Sequence, residues 1–213
     1  MKLKKFKTTV YFLFFCLLIH SISPAFPAAA AATEYTMTDL MTSSLPKGAT
    51  IIIEDRKDLE TLDIYIKDGM LSSSCEYTFR LENDIAVSDY TFQYHKSAKT
   101  ISIYYKNALA AVYDENTSSF YTDESLQTST DFSFKGKPWE PVGSSSQPFC
   151  ATFDGNNHKI SGLWNTSSYS ASSQTESGLF ANLTDASVSN LTIDGAFLQL
   201  SYEEKTDYTG NNS

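Results

Sequence analysis

The sequence is poor in the residues from which catalytic and metal sites are most often built. It contains three histidines and three cysteines in 213 residues. Neither His95 nor His158 has a cysteine or an acid at the spacing of known zinc motifs. There is no Gly-x-Ser-x-Gly, no His-Glu-x-x-His and no phosphate-binding loop. We therefore interpret both histidines as surface residues and predict no catalytic residue, no metal site and no cofactor.

Apart from one stretch near its start, the sequence lacks a long apolar run. Val10–Ile19 is apolar throughout but has only ten residues, too few to span a bilayer. Four lysines precede it, and a Ser-Pro and the small residues PAAAAAT follow it. This order is typical of a secretory signal peptide. We predict that residues 1–32 are removed after Ala32, with Ala30 as the next candidate, and that the protein is secreted or lies at the cell surface. An uncleaved membrane anchor is the alternative.

Basic residues are scarce, and the predicted cleavage makes them scarcer. It removes four of the sixteen basic residues and none of the twenty-five acidic ones, so the formal charge falls from −9 to −13. A nucleic-acid backbone or an anionic membrane needs clustered lysine and arginine, so both are disfavoured as partners. Two cysteines remain, Cys75 and Cys150. An exported protein can form a disulfide between them but does not need one.

The part that follows the signal peptide begins with a mixed segment, residues 33–89. It contains one amphipathic helix, Glu54–Lys67, in which Leu59, Leu62 and Ile66 recur at helical spacing. Short alternating strands follow this helix. Because a single amphipathic helix among strands must bury its apolar face, we expect it to cap the end of a stack of strands.

The rest of the sequence divides into two parts that differ in composition and in the spacing of their apolar residues. Residues 90–137 are an insertion with a predicted hairpin around Lys106–Asn107 and then a stretch without clear period. Residues 138–213 consist of short strands separated by Gly, Asn, Asp and Ser, and Ile160–Leu163 and Val188–Leu191 repeat one pattern 28 residues apart. A repeat of this kind is typical of a parallel β-solenoid. From two copies alone, a β-sandwich is almost equally well supported.

One stretch of this sequence resembles a known family. The segments WEPVG, PFCATFDGNNHKISGL and SGLFANLTDASVSNLTIDGAFL are similar to the GLUG-type repeat of bacterial secreted and surface proteins. The resemblance covers about Ile51–Asp89 and Trp139–Gln199. The sequence departs from the family pattern at Ala151 and Asn157, where glycine is usual, and at the insertion Tyr90–Lys137. The motif residues are Trp139, Pro141, Gly143, Phe149, Phe153, Asp154, Gly155, Asn156, Asn157, Ile160, Gly162, Leu163, Gly178, Leu179, Phe180, Val188, Asn190 and Leu191.

The resemblance implies an all-β fold, the start of a right-handed parallel β-helix with an N-terminal capping helix. It implies large extracellular proteins, and it does not imply catalysis by the repeat itself. The last predicted turn has no cap, so we expect the chain to be incomplete as a functional unit, with covalent neighbour domains in a longer chain. A small secreted protein closed by its own insertion is the alternative.

The polar tetrapeptide Asp154–Asn157 is the most conspicuous candidate site. We interpret it as a structural corner in which Gly155 permits a positive φ and the Asp and Asn side chains bond nearby amides. Its clustered oxygens could also ligate calcium, but no Glu follows at the required spacing.

Two further sets of residues admit a functional interpretation. Asp84, Asp154 and Asp194 could form paired carboxylates like those of polysaccharide-cleaving enzymes, although each lies in a corner-like context. Four glycosylation sequons are present by form, at Asn116, Asn165, Asn182 and Asn190.

The sequence thus predicts an exported, non-catalytic surface or adhesion-type module that offers a polar solenoid face to an unknown glycan or protein. The alternatives are a polysaccharide-acting enzyme that uses the corner aspartates and a leader segment of a larger secreted protein whose activity lies elsewhere.

Overall fold

The computed structural model describes residues 8–10, 33–71, 76–169 and 176–202. No helix among these residues is long and apolar enough to cross a membrane. The regular elements, in chain order, are β1 (Thr8–Val10), β2 (Glu34–Thr36), α1 (Met37–Thr42), β3 (Thr50–Ile53), α2 (Arg56–Lys67), β4 (Thr78–Leu81), β5 (Ile85–Ala86), β6 (Tyr90–His95), β7 (Thr100–Tyr105), β8 (Ala108–Asp114), β9 (Ser119–Tyr121), β10 (Thr152–Asp154), β11 (Lys159–Tyr169), β12 (Ser187–Ser189) and β13 (Thr192–Tyr202).

Both helices begin at well-formed N-caps. In α1, Thr36 and Asp39 accept hydrogen bonds from each other's backbone N–H, which forms a capping box. In α2, the side chain of Asp55 accepts a hydrogen bond from Asp58 N at 3.0 Å. The amphipathic helix predicted here is confirmed. Its buried residues are Leu59, Leu62, Tyr65 and Ile66.

The strands form three sheets. The first has the order β12-β10-β4-β3-β2 and is parallel throughout. The second has the order β1-β13-β11-β5, in which β5, β11 and β13 are parallel and β1 is antiparallel to β13. The third, β6-β7-β8-β9, is entirely antiparallel. The two cores described below form where apolar rows of these sheets meet.

The prediction of an all-β, right-handed parallel β-helix is wrong. The described residues are mostly β, but they form three sheets of different kinds and two helices. Residues 90–121 account for much of the difference, because tight local turns fold them into antiparallel strands rather than into parallel ones that need long crossovers. The turn at Lys106 and Asn107, both with positive φ, joins β7 to β8 where the hairpin was predicted.

The predicted capping role of the helix is also wrong. α2 connects β3 to β4, which are adjacent parallel strands of the first sheet. α1 connects β2 to β3 in the same way, and the sequence analysis did not predict it. A parallel pair needs a crossover connection, and a helix is its usual form. The helices are therefore connections within the parallel sheet.

The larger of two apolar cores joins the parallel sheets to the helices. Register places Phe79 and Phe153 next to each other in the first sheet, and Ile85, Ile160 and Ile193 in one row of the second. The phenylalanines and Ile160 are fully buried. Full burial of side chains of this size stabilises a fold by about 1.5–3 kcal/mol each.

The second core is aromatic and attaches the antiparallel sheet to the second sheet. Tyr90 and Tyr113 of the antiparallel sheet pack with Trp164 of β11 and Phe197 of β13. Phe134 stacks on Trp164 with ring centroids 4.5 Å apart and an interplanar angle of 13°. Such ring pairs contribute about 0.5–1.5 kcal/mol beyond their buried area. The inserted residues are thus bound to the parallel strands by their aromatic face.

Some sequence predictions fall partly or wholly outside the described residues. Cys150 is disulfide-bonded, and Cys75, its candidate partner, lies outside them, so the Cys75–Cys150 pairing stays a prediction. Ala32, the predicted cleavage site, also lies outside them. Thr8–Val10, within the predicted signal peptide, pairs antiparallel with Gln199–Ser201 at the end of β13.

Candidate functional site

The tetrapeptide Asp154–Asn157 forms a corner whose side chains bond its own backbone and the adjacent chain. One carboxylate oxygen of Asp154 accepts hydrogen bonds from Asn156 N and from Asn190 Nδ2, both at 2.9 Å. Asn156 Nδ2 donates to the carbonyl of Leu81 at 3.1 Å. The corner thereby links the ends of β4, β10 and β12, which are neighbours in the first sheet. Within the described residues no group of three or more acidic, His or Cys side chains is arranged to hold a metal ion.

The predicted role of Gly155 in this corner is wrong in its mechanism. The positive φ angles belong to Asn156 (49°) and Asn157 (65°), not to Gly155. Asparagine tolerates this backbone region better than most residues. Gly155 is needed because of close approach: a Cβ there would lie 2.5 Å from Leu191 Cα and would also meet the carbonyl oxygen of Asn190.

The three candidate aspartates do not form a site of paired carboxylates. Asp84 accepts hydrogen bonds from Lys159 N at 3.1 Å and from His158 Nδ1 at 3.2 Å. Asp194 forms an ion pair with Lys159 Nζ at 2.8 Å, and Asp154 is held in the corner. The hydrogen bond from the Lys159 backbone is the main cause that lowers the pKa of Asp84, and the bond from His158 is the second. The pKa of Lys159 is raised, chiefly by its hydrogen bond to Asp194. These contacts tie the starts of β5 and β11 together.

The other histidine belongs to a small polar network on the antiparallel sheet. His95 Nε2 lies 2.9 Å from Ser102 Oγ, and that hydroxyl donates to Glu124 Oε1 at 3.1 Å. A serine, a histidine and a carboxylate in contact suggest nucleophilic catalysis. Ser102, however, is fully buried, so its hydroxyl is not open to a substrate. We interpret the network as structural: the bond between Ser102 and Glu124 fixes the turn after β9 to the antiparallel sheet.

Most of the family-motif residues build the core and its turns. Phe149, Phe153 and Ile160 are fully buried, and Trp139 is 4% exposed. Gly143, at φ 79°, donates its N–H to Asp63 Oδ1 at 2.8 Å. Other motif positions, among them Phe180, Val188 and Leu191, are partly buried around the same core. The motif thus marks packing positions rather than a surface site.

The sequons differ in accessibility. Asn165 is only 7% exposed and donates to the carbonyl of Trp139 at 3.0 Å, which leaves no room for a glycan. Asn116 is exposed, but its amide is bonded to Asp114 Oδ1 at 2.9 Å. Asn182 is exposed; Asn190 is exposed as well, but its amide is bonded to Asp154 Oδ1 at 2.9 Å. Only part of the sequon set is therefore open to modification.

An open groove of about 700 Å³ lies beside β9. Its walls are β9 and residues 128–133, which return alongside β9 after a turn. Thr130 N donates to the carbonyl of Phe120 at 2.9 Å, and Tyr121 and Ser129 form an antiparallel bridge. The lining residues are Ser118, Ser119, Phe120, Ser129, Thr130, Asp131, Phe132 and Ser133.

Two phenylalanines form the apolar part of this groove. The rings of Phe120 and Phe132 are 5.2 Å apart, and both are partly buried. Phe120 also packs on Phe197, and Phe132 on Phe134, so both rings are fixed by the aromatic core. The groove therefore offers aromatic carbon held by a rigid scaffold.

The polar part of the groove consists of five hydroxyl side chains and one carboxylate, that of Asp131. Hydroxyls both donate and accept hydrogen bonds, whereas a carboxylate only accepts. Among the residues that the structure describes, no basic side chain lines the groove. Its volume is in the range of small-molecule sites, roughly 300–1,000 Å³. This arrangement suits an uncharged ligand that carries many hydroxyls and an apolar face.

The sequence analysis missed this groove because it treated residues 115–136 as an irregular insertion. The signal was nevertheless present in STDFSF, where phenylalanine alternates with a polar residue, and in TSSFY, where a phenylalanine follows three hydroxyl residues. What the pattern does not reveal is that the two segments face each other.

A second groove, of about 320 Å³, lies between α2 and residues 137–140. Its charged groups are already paired: Arg56 with Glu60 at 2.8 Å, and Lys137 with Glu140 at 3.0 Å. Its aromatic residue, Trp139, is buried and donates Nε1–H to the carbonyl of Leu179. This groove therefore offers a ligand fewer available groups than the groove beside β9.

Comparison with known proteins gives no match: no family model, no curated protein and no solved structure matches the chain. The resemblance to the GLUG-type repeat therefore stays a prediction that rests on the sequence motif alone.

Proposed function

We propose that this chain is an exported, non-catalytic surface or adhesion-type module that binds a neutral glycan in the groove beside β9. The observation that carries the proposal is the pair of fixed, partly exposed rings, Phe120 and Phe132, among five hydroxyl side chains. A sugar ring has C–H-rich faces and an equatorial rim of hydroxyls. The faces can pack on aromatic carbon while the rim exchanges hydrogen bonds with serine and threonine.

The charge of the groove selects among glycans. Asp131 is the one ionisable residue among the described residues that line the groove, and it accepts hydrogen bonds from sugar hydroxyls but repels carboxylated or sulfated sugars. The formal charge of −13 expected after signal-peptide removal acts in the same direction. We therefore expect neutral hexose or N-acetylhexosamine oligomers rather than uronic acids.

The direct test is titration of the mature chain, beginning at Thr33, with oligomers of glucose, mannose, galactose and N-acetylglucosamine, and with an oligogalacturonate. Calorimetry or ligand-observed NMR measures Kd. At least one neutral series should bind and the oligogalacturonate should not. Binding of the charged oligomer alone, or of none, would contradict the proposal.

Variants locate the site. Asp131→Asn replaces a charged acceptor by a neutral one, a difference of about 1 kcal/mol, and should raise Kd about fivefold. The pair Ser129→Ala with Ser133→Ala removes two hydroxyls that contribute about 1 kcal/mol each and should raise Kd about thirtyfold. The matched controls are Asp185→Asn and Ser187→Ala, exposed positions outside the groove. Equal effects of groove and control variants would show that the glycan binds elsewhere.

The same incubations test the enzymatic alternative. Release of reducing ends from any oligomer, abolished by Asp154→Asn, would favour a polysaccharide-acting enzyme. Binding without release would agree with the proposed module.

A further inference from the structure

The last described part of the chain forms one continuous layer of strands. It consists of residues 179–202, which include β12 and β13, and we call it the terminal layer. Its inner side is fully paired: Ala181 N donates to the carbonyl of Val142 at 3.0 Å, β12 pairs with β10, and β13 pairs with β11. On its outer side, β12 is the last strand of the first sheet, and β13 is the last parallel strand of the second, flanked there by the three-residue β1.

The apolar residues of this layer are incompletely covered. Among the described residues, eleven partly buried hydrophobic residues pack around the larger core, and seven of them lie in the terminal layer. They are Phe180, Ala186, Val188, Leu191, Ile193, Ala196 and Leu198. Leu183 of the same layer is 48% exposed. An apolar surface next to open strand edges is characteristic of an interaction site.

The outer edge of β13 accepts an antiparallel strand. Thr8–Val10 pairs there with Gln199–Ser201. Those three residues lie within the predicted signal peptide, so the proposed cleavage would remove them. The eleven-residue β13 would then present an outer edge without its antiparallel partner.

The charge of the layer points to a copy of the same chain as the partner. Residues 179–201 contain only two charged side chains, Asp185 and Asp194, and Asp194 is paired with Lys159. Two copies can therefore approach through this layer without the repulsion expected from the acidic chain as a whole. A twofold axis places identical strands antiparallel, which is the pairing that this edge accepts.

We propose that the mature protein forms a twofold-symmetric dimer in which β13 of one copy pairs antiparallel with β13 of the second. The second sheet then continues across the interface, and the apolar residues of the two terminal layers cover each other. This proposal is independent of the glycan groove, because no lining residue of that groove belongs to the terminal layer.

The test is the mass of the chain beginning at Thr33, measured by light scattering during size exclusion over a range of concentrations. The expected mass is twice that of the monomer and decreases on dilution. A non-reducing denaturing gel should show the monomer, which excludes an intermolecular disulfide. A monomer at all concentrations, or an open series of larger species, would overturn the proposal.

A pair of exposed leucines provides the matched variants. Leu183→Lys places a charge in the terminal layer and should weaken the dimer about tenfold or more. Leu109→Lys, at a residue of β8 that is 39% exposed, should leave it unchanged. Thermal unfolding of both variants checks that they fold.

Hydrogen exchange then identifies the interface. Amides of Thr192–Tyr202 should exchange more slowly at high protein concentration, and this difference should be lost in Leu183→Lys. Equal weakening by both lysine variants, or concentration-dependent protection elsewhere, would refute the β13 interface.

Discussion

Gly155→Ala should destabilise the protein strongly, although the backbone at this position is not in the glycine-specific region. The new Cβ would lie 2.5 Å from Leu191 Cα and 2.7 Å from Leu191 Cβ. The nearest atoms include backbone, so a side-chain rotation cannot relieve the clash. The corner and the adjacent chain must move apart.

The expected loss follows from the two contributions to this movement. Overpacking of a well-packed site typically costs about 1–3 kcal/mol. Separation also stretches the bonds from Gly155 N to the carbonyl of Ser189 (2.8 Å) and from Asn157 N to the carbonyl of Asn190 (2.9 Å), each with a net value of about 1 kcal/mol. We expect the free energy of unfolding to fall by about 3 kcal/mol.

Urea unfolding followed by circular dichroism measures this change. The matched control is Gly136→Ala, because Gly136 has φ 85° and no atom within 4 Å of its added Cβ. It should lose only the backbone cost of a positive φ, about 1 kcal/mol. A loss at Gly155 no larger than that at Gly136 would refute the close-approach argument.

Two other perturbations test the aromatic core and the carboxylates. Phe134→Ala removes the stack on Trp164 and should lower the free energy of unfolding by about 2–3 kcal/mol. Hydrogen exchange should become faster in β6–β9. The control is Tyr121→Ala, which should have a smaller effect because the side chain of Tyr121 is partly exposed. A hydrogen bond from Lys159 N lowers the pKa of Asp84 in the folded chain, and one from Thr36 N lowers that of Asp39. The two ionised carboxylates therefore contribute their full stabilisation above the ordinary Asp pKa of about 3.9. This stabilisation is lost as the pH falls through the lower pKa values of the folded chain. The urea midpoint should therefore drop in acid, and less so in Asp84→Asn; a midpoint independent of pH below about 4 would contradict this.

Local patterns in the sequence predicted local structure well. The spacing of Leu59, Leu62 and Ile66 identified α2, and the alternation around Phe79 identified β4. The turn at Lys106–Asn107 was recognisable because asparagine, here Asn107, tolerates positive φ. Each of these signals lies within a few residues of the structure that it specifies.

The global arrangement was not contained in such signals. The short strands after Trp139 do pair in parallel, but the pattern could not reveal that the insertion forms a separate antiparallel sheet bound by Trp164 and Phe197. These two residues lie on strands far along the chain from Tyr90, so their contact depends on tertiary packing. The groove escaped notice for the same reason, because Phe120 and Phe132 face each other only after the turn between them closes.

The two cores also give the chain a pair of separate optical probes. It has two tryptophans, Trp139 in the larger core and Trp164 in the aromatic one. Trp164 lies against Phe134 and Trp139 is bonded to a backbone carbonyl, so their emission reports different surroundings. With Trp139→Phe, fluorescence follows the attachment of the antiparallel sheet; with Trp164→Phe, it follows the parallel sheets and helices. Comparison of the two traces during unfolding distinguishes a single cooperative unit from a β-sheet insert that detaches first.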